Sequence, residues 1–434
     1  MRRDLNTLLP PVVSSLSVSL LVWTPRLAFA SQGGAHDLRS NQVIILGLIL
    51  LLGFAGGKII QIIKMPAVTG YVLVGIMLGV SALNIIPISM IHALRFIEVL
   101  GLSLVALIIG GDLHWKKLKA LGKTVFVITV IQVIGAFAAV SIVTGGVLHL
   151  PWSIAFILGA ISSATAPAAT VAVIHEYKAR GPLTDTLMAI VALDDALCII
   201  LFSVVIGGVS FIRGAEAVSL RHFLIPIWDI SGSCMVGILL GILTINIMRW
   251  VRDRHDLIIV VVGLAFLFGE IAEYFHMSAL LTNMMFGFVL VNFSPNPKFF
   301  SYLVDIELPI FICFFTIAGA SLNLGVLFQN WIPAVLFIVA RGIGKVLGVY
   351  AGGLIVNAPK MVKKYLGFAM LPQAGVAIAL VLAVQVEMPE IAKLITALVL
   401  AAVAANEVIG PLGTKFALIK AGETNRPIHR EGDA

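Results

Sequence analysis

Charge is what this chain has least of. Only 12% of its 434 residues are Asp, Glu, Lys or Arg, where a soluble domain carries about 25%. With 60% hydrophobic residues and a mean hydropathy of +1.07, that scarcity describes a polytopic membrane protein with little soluble mass, and it leaves no soluble signalling domain. Cysteine is scarce too. Cys198, Cys234 and Cys313 are scattered through apolar runs with no spacing pattern, which excludes a disulfide framework or a metal-binding set. No His-rich or Ser-His arrangement gathers at a common depth, so a membrane enzyme is disfavoured and no cofactor is expected. The net charge of +7 would suggest nucleic acid in a soluble chain. Here the basic residues sit mainly in short connections on one side of the membrane, which is topology rather than a nucleic-acid surface.

The N-terminus combines Arg2 and Arg3, an apolar stretch near 12–23 and Ala28-Phe29-Ala30, the pattern of a secretory signal peptide over 1–30. Apolar runs long enough to cross about 30 Å of hydrocarbon follow at 42–62, 66–84, 94–113, 122–147, 152–176, 183–211, 222–249, 256–274, 277–293, 300–322, 331–356, 365–386 and 388–412. The fold expected is therefore all-α, with thirteen transmembrane helices. Signal cleavage would leave the new N-terminus outside, in the periplasm of a bacterial inner membrane. Connections after odd-numbered spans should then be cytoplasmic and basic. They hold Lys64, Lys116, Lys117, Lys119, Lys123, Lys178, Arg180, Arg249, Arg252, Arg254, Lys298, Lys360, Lys363, Lys364, Lys415, Lys420, Arg426 and Arg430, against mainly Arg39, Arg95, Arg213, Arg221 and Lys393 opposite. A short cytoplasmic tail, 413–434, completes the chain.

Against this apolar background stands Asp194-Asp195, in the middle of span 6. A carboxylate at that depth costs about 2.5–3.5 kcal/mol on insertion scales, and such residues by default mark an ion or proton pathway. Three short matches, each seven spans apart, indicate an internal repeat. Pro66-Ala-Val-Thr-Gly-Tyr-Val-Leu-Val-Gly75 pairs with Ser278-Ala-Leu-Leu-Thr-Asn-Met-Met-Phe-Gly287, Gly110-Gly-Asp-Leu-His114 with Gly319-Ala-Ser-Leu-Asn323, and Pro167-Ala-Ala-Thr170 with Pro372-Gln-Ala-Gly375. Seven is odd, so the copies lie upside down relative to one another, the architecture of alternating-access secondary transporters.

Pro167 and Pro372 fall near mid-bilayer beside small residues, and Gly375 follows the second. A mid-span proline removes a backbone donor, and freed carbonyls at that depth need protein or a water-filled cavity around them. Two discontinuous helices facing one site are expected, with backbone carbonyls and Thr165 or Thr170 available to a cation. Arg341-Gly-Ile-Gly-Lys345 places Lys345 near the centre of span 11, too deep to reach either surface. Its deepest acidic partners are Asp194 and Asp195. Burial favours a neutral carboxyl and a nearby ammonium the charged one. An aspartate between these influences can hold a proton or a hard monovalent cation, but not both. The residues favour Asp195 as the cation- and proton-binding carboxylate (the Na+ ligand) and Asp194 as the partner of Lys345, although spacing alone does not order them. Glu98, Asp112, Glu270, Glu273, Asp305 and Glu307 lie nearer span ends and suit structural or interfacial roles. Glu407, behind Asn406, occupies roughly the repeat position of the aspartate pair and suits a cytoplasmic funnel. His175-Glu176 stands where pH could be sensed.

These features resemble the cation:proton antiporter-2 family, in particular its bacterial electrogenic Na+/H+ antiporter branch. The matching residues are Pro167-Ala-Ala-Thr170, Asp194-Asp195, Gly344-Lys345 with Gly348, Phe314-Phe315 with Gly319, and Pro66 to Gly79, and the likeness spans 42–412. It implies a homodimer with two crossed discontinuous helices in each protomer. A dimerisation panel (42–115 and 256–327) would be joined through a linker helix (222–250) to an elevator-like core (122–211 and 330–412). It also implies cation binding at Asp195, a transport-linked salt bridge between Asp194 and Lys345, and two protons exchanged for one Na+. Some relatives carry a further Asp where Val171 stands here, and potassium-efflux relatives carry a C-terminal nucleotide-binding domain where this chain has its short tail. The function expected is Na+ (or Li+) exchange for H+. K+/H+ exchange is the first alternative and sodium-coupled uptake of an organic anion the second; a sensor or scaffold is the reading outside transport. Beyond the ions, the partners expected are membrane lipid and a second copy of the chain.

Overall fold

The computed structural model describes residues 41–212, 221–248, 250–251, 253–294 and 300–424. The expected signal peptide and the last ten residues of the tail lie outside them. The described chain runs through α1 (Gln42–Ile62), α2 (Ala67–Leu78), α3 (Ile88–Ala93), α4 (Arg95–Asp112), α5 (Trp115–Ile142), α6 (Trp152–Ser162), α7 (Pro167–Glu176), α8 (Pro182–Ile212) and α9 (Arg221–Met248). It continues through α10 (Arg254–Tyr274), α11 (Ala279–Phe293), α12 (Phe300–Ser321), α13 (Leu324–Gln329), α14 (Trp331–Ile355), α15 (Lys360–Ala369), α16 (Gly375–Glu387) and α17 (Pro389–Ala421). No strand occurs among the described residues. Each expected span falls on one of these helices or on a broken pair. By length and composition eight segments of the described residues are able to cross a bilayer, α6 and α7 together making one of them, and α2, α11, α16 and the Ile306–Ser321 part of α12 are shorter apolar helices.

Local signals set several boundaries. The Asn41 side chain accepts from the amides of Val43 and Ile44 at 3.0 and 3.3 Å, capping α1. Span 2 was expected to run to residue 84, but α2 stops at Leu78 because Gly79 leaves helical geometry, at φ −78° and ψ −169°. At the other end, α17 runs nine residues beyond the expected limit of 412, to Ala421. Gly422 closes it at φ 72°, a left-handed cap that glycine adopts without strain. Part of the expected free tail is docked: the buried Glu423 carboxylate accepts from the amides of Leu183 and Thr184 at 2.7 and 2.8 Å, capping the start of α8.

Two groups of helices pack within themselves. One holds α1, α2, α4 and α9 to α12; the other holds α5 to α8 and α14 to α17. In the first, a Cβ on Gly75 of α2 would stand 2.9 Å from Gly319 Cα of α12, and one on Gly287 of α11 would stand 3.1 Å from Gly110 Cα of α4. The repeat aligned Gly75 with Gly287 and Gly110 with Gly319. The two contacts are therefore the same contact made twice, once per inverted copy. In the second group, a Cβ on Gly135 of α5 would meet the Gly344 carbonyl at 2.6 Å, and one on Gly344 of α14 the Gly135 carbonyl at 2.5 Å. Small residues at such crossings let backbones touch. This close crossing carries Gln132 and Lys345, on neighbouring turns, into one buried region.

Candidate ion-binding site

The interrupted helices meet in the second group. α6 ends at Ser162 and α7 begins at Pro167; α15 ends at Ala369 and α16 begins at Gly375. The breaks touch directly, the Ala166 amide donating to the Pro372 carbonyl at 2.9 Å. Pro167 sits in the first turn of its helix, where a missing amide costs nothing. Pro372 does not: the repeat placed a helix start there, and the backbone stays non-helical for three residues more, until Gly375.

Arg341 explains that difference. It is 1% exposed. Its Nε donates to the Ser162 carbonyl at 2.9 Å, Nη1 to Leu371 at 2.6 Å, and Nη2 to Ala164 at 2.7 Å and Pro372 at 3.3 Å. One guanidinium thus satisfies carbonyls freed by both breaks and neutralises the negative ends of α6 and α15. Lys345, on the next turn of α14, is fully buried. It donates to the Ser163 carbonyl, to Thr165 Oγ1 at 2.7 Å and to Asp194 Oδ2 at 3.5 Å. An ammonium has three protons, and here each has an acceptor.

The break therefore offers a cation less than the sequence suggested. The carbonyls of Ser162, Ser163, Ala164 and Leu371 already accept from Arg341 or Lys345, and Thr165 is taken by Lys345. Thr170 hydrogen-bonds towards the carbonyls of Ala166 and Ala369, at 3.3 and 3.4 Å. Asp194 is engaged too, with Gln132 Nε2 donating to Oδ1 and Lys345 reaching Oδ2. Asp195 differs. It is 9% exposed, and neither carboxylate oxygen has a hydrogen-bond partner. About 100° round α8 from its neighbour, it faces α9 and α11 rather than Lys345.

Access to this region is lopsided. A cavity of about 830 Å³, lined by Asp112, His114, Lys117, His175, Lys178, Arg180 and Asp185 among others, runs inward as far as Met188 and Ala189 of α8. Ala189 is six residues, about 9 Å along the helix, short of Asp195. On the other side of Asp195 lies a pocket of about 10 Å³, roughly the volume of one water.

Other charges fall differently from expectation. Glu407 does not line the large cavity; it is 3% exposed, with Oε2 unpartnered. Its neighbour Asn406 donates to Gln373 Oε1 at 3.0 Å, and Gln373 donates to the Ile161 carbonyl at 3.2 Å, tying α17 to both breaks. His175 is not alone: its ring lies 3.0 Å from Glu307 Oε2 and 3.3 Å from Asp112 Oδ2, joining α7 to α12 and α4. Glu176 receives the Gln61 side chain at 2.7 Å and the Ala67 amide at 2.8 Å. The Asp305 side chain lies outside the described residues. Nothing in the sequence singled out Gln132 or Asp229, although a glutamine in an apolar span is itself a weak signal. Among the described residues no cluster of three or more His, Cys, Asp or Glu side chains is arranged to hold a metal ion.

The profile of the transmembrane sodium/hydrogen exchanger family matches residues 46–420. Among curated relatives, Na(+)/H(+) antiporter 1 of Methanocaldococcus jannaschii is 26% identical over 396 residues, covering 85% of this chain and 88% of its own. The ammonium/H(+) antiporter subunit AmhT of Alkalihalophilus pseudofirmus is 24% identical over 336 residues, covering 75% and 82%. In fold, the chain is similar to the sodium proton antiporter MjNhaP1 from Methanocaldococcus jannaschii, with a TM-score of 0.68 at 24% identity over 88% of this chain and 95% of that one. A match over most of the chain, an inverted repeat whose helix contacts recur, and two interrupted helices crossing beside a buried acid–base pair lead to one assignment: the chain is a member of the transmembrane sodium/hydrogen exchanger family.

Proposed function

We propose that this protein exchanges Na+ or Li+ for H+ across a bacterial cell membrane by alternating access, with Asp195 as the exchanging carboxylate. The observation that carries the reading is the contrast between adjacent acids. Asp194 is matched by Lys345 and Gln132, while Asp195 is buried with both oxygens unpartnered. A lone carboxylate at that depth is several kcal/mol out of balance. It comes into balance with a proton or with a small cation, and not with both together. Competition of this kind is exchange.

Alternation follows from the two groups of helices. The group with α1, α2, α4 and α10 to α12 acts as a fixed panel, α9, the expected linker helix, packs mainly on α11 of that panel, and the group with α5 to α8 and α14 to α17 carries the site as a moving core. The 830 Å³ cavity is lined by residues of the basic connections; with those connections cytoplasmic, as their charge suggests, this conformation opens inward. Sliding of the core would close it and widen the small pocket beyond Asp195. Homodimerisation and the antiporter-2 branch rest on the family resemblance, as does a ratio of two protons per Na+. With that ratio each net charge moved is worth about 2.3 kcal/mol per 100 mV, so membrane potential would drive Na+ out.

Purified protein in proteoliposomes with an imposed pH gradient tests the reading, with Na+, Li+, K+ and NH4+ added in turn. Dissipation by Na+ and Li+ is expected; dissipation by K+ or NH4+ alone overturns the ion assignment. Asp195→Asn should abolish exchange at every pH, and retained activity would move the site elsewhere.

A further inference from the structure

Among the described residues that line the small pocket, Asp229 is a second carboxylate sharing a space with Asp195. It lies on α9, about 12 Å from the helix start, on the side away from the large cavity. Asp195, Ala192, Ala196 and Ile199 of α8 line one wall of the 10 Å³ pocket, and Asp229, Ser278 and Met284 of α9 and α11 line the other. One wall belongs to the core group and the other to the panel group.

A capping role accounts for only part of Asp229. Its Oδ1 accepts from the Ser278 amide at 2.6 Å and from Ser233 Oγ at 3.3 Å, at the start of α11. The same amide also reaches Ser233 Oγ at 2.9 Å, and the Ser278 hydroxyl caps the Leu281 amide at 3.2 Å. A neutral side chain serves that purpose equally well. The negative charge has no Lys, Arg or His ion-pair partner among the described residues, and both hydrogen bonds described fall on Oδ1. Across the pocket stands Asp195, nine-tenths buried with two unpartnered oxygens.

We infer that Asp229 is a second cation-binding carboxylate: the outer waypoint through which Na+ or Li+ passes between the extracellular side and Asp195. In the inward-open arrangement the two acids line one space with room for about one water. As the core slides, its wall moves relative to the panel wall. Asp229 stays with the panel and meets the ion as the outer cleft opens. This deepens the exchange reading given above and rests on it, including the placing of the start of α9 outside.

Asp229→Asn tests it, because an asparagine Oδ1 keeps the cap on Ser278 while removing the charge. Na+ and Li+ dependence is measured from each face separately, in proteoliposomes made unidirectional by blocking one orientation through an engineered surface cysteine. For Asp229→Asn the KM for extracellular Na+ should rise on the order of five-fold, as expected for loss of a nearby charge in a partly solvated cleft. The cytoplasmic KM should stay within error of wild type, which also shows that the variant folds. Equal KM values for variant and wild type on the extracellular face would overturn the inference, as would equal rises on both faces. A wild type that exchanges neither ion would instead overturn the functional reading itself.

Discussion

Replacing Lys345 with Met should cost this protein about 3–5 kcal/mol, the loss typical when one partner of a buried ion pair is removed. The figure follows from what the ammonium touches. Asp194 is 0% exposed, and Lys345 is the cation that reaches it, at 3.5 Å. Arg341 is no substitute, since its donors are spent on carbonyls of both breaks. Losing the ammonium also orphans the Ser163 carbonyl and Thr165 Oγ1, each worth about 1 kcal/mol. Asp194→Asn is milder because it keeps Gln132 as a donor and leaves Lys345 two of its three acceptors; about 1–2 kcal/mol is expected. The decisive quantity is the coupling. With Asp194 already neutral, Lys345→Met no longer strands a charge, so the double variant should be more stable than the summed losses by about 2 kcal/mol. Reversible unfolding in detergent, followed for wild type, both single variants and the double, yields that term. A coupling within about 0.5 kcal/mol of zero would mean that the 3.5 Å approach contributes nothing, and that Asp194 is matched by some other group.

Two further outcomes are expected. Gly75→Ala and Gly287→Ala would each push a Cβ against a helix carbonyl, at 2.1 Å from Thr316 O and 2.2 Å from Leu107 O. Each should lower stability by about 1–3 kcal/mol and by similar amounts, because the inverted copies make the same contact; a silent partner in thermal unfolding would break the equivalence. His175 reaches Glu307 and Asp112 from its two ring nitrogens, and only the protonated ring can donate at both. The bridge from α7 to α12 and α4 is therefore complete at acid pH and loses one strut as pH rises. Exchange by His175→Ala should persist further towards acid pH, imposed on the face with the large cavity, than that of wild type, and superimposable pH profiles would remove the clamp.

The sequence revealed what lipid dictates and left obscure what the packed interior dictates. Hydrophobic runs and basic flanks respond to a one-dimensional environment, and the expected spans fall on described helices throughout. The repeat was legible for a related reason: backbone contact at a helix crossing demands glycine, so Gly75 and Gly287 stand out in both copies. The aspartate pair announced itself because lipid makes carboxylates rare. By contrast, Gln132 meets Asp194 from 62 positions away, and no local pattern encodes that distance. Arg341 stood within a motif already noticed, yet its task depends on where two breaks cross. That crossing explains why the repeat fails at Pro372. The copies have equivalent prolines, but one arginine serves both, and its hold on Leu371 and Pro372 keeps the second break open until Gly375. A single asymmetric side chain thus makes two near-equivalent breaks unequal, and it takes up break carbonyls of Ser162, Ala164 and Leu371 that a cation would otherwise find. Lys345 takes that of Ser163, which leaves the Asp195 carboxylate and Gln132 Oε1 as buried oxygens beside the pair that no described donor has claimed.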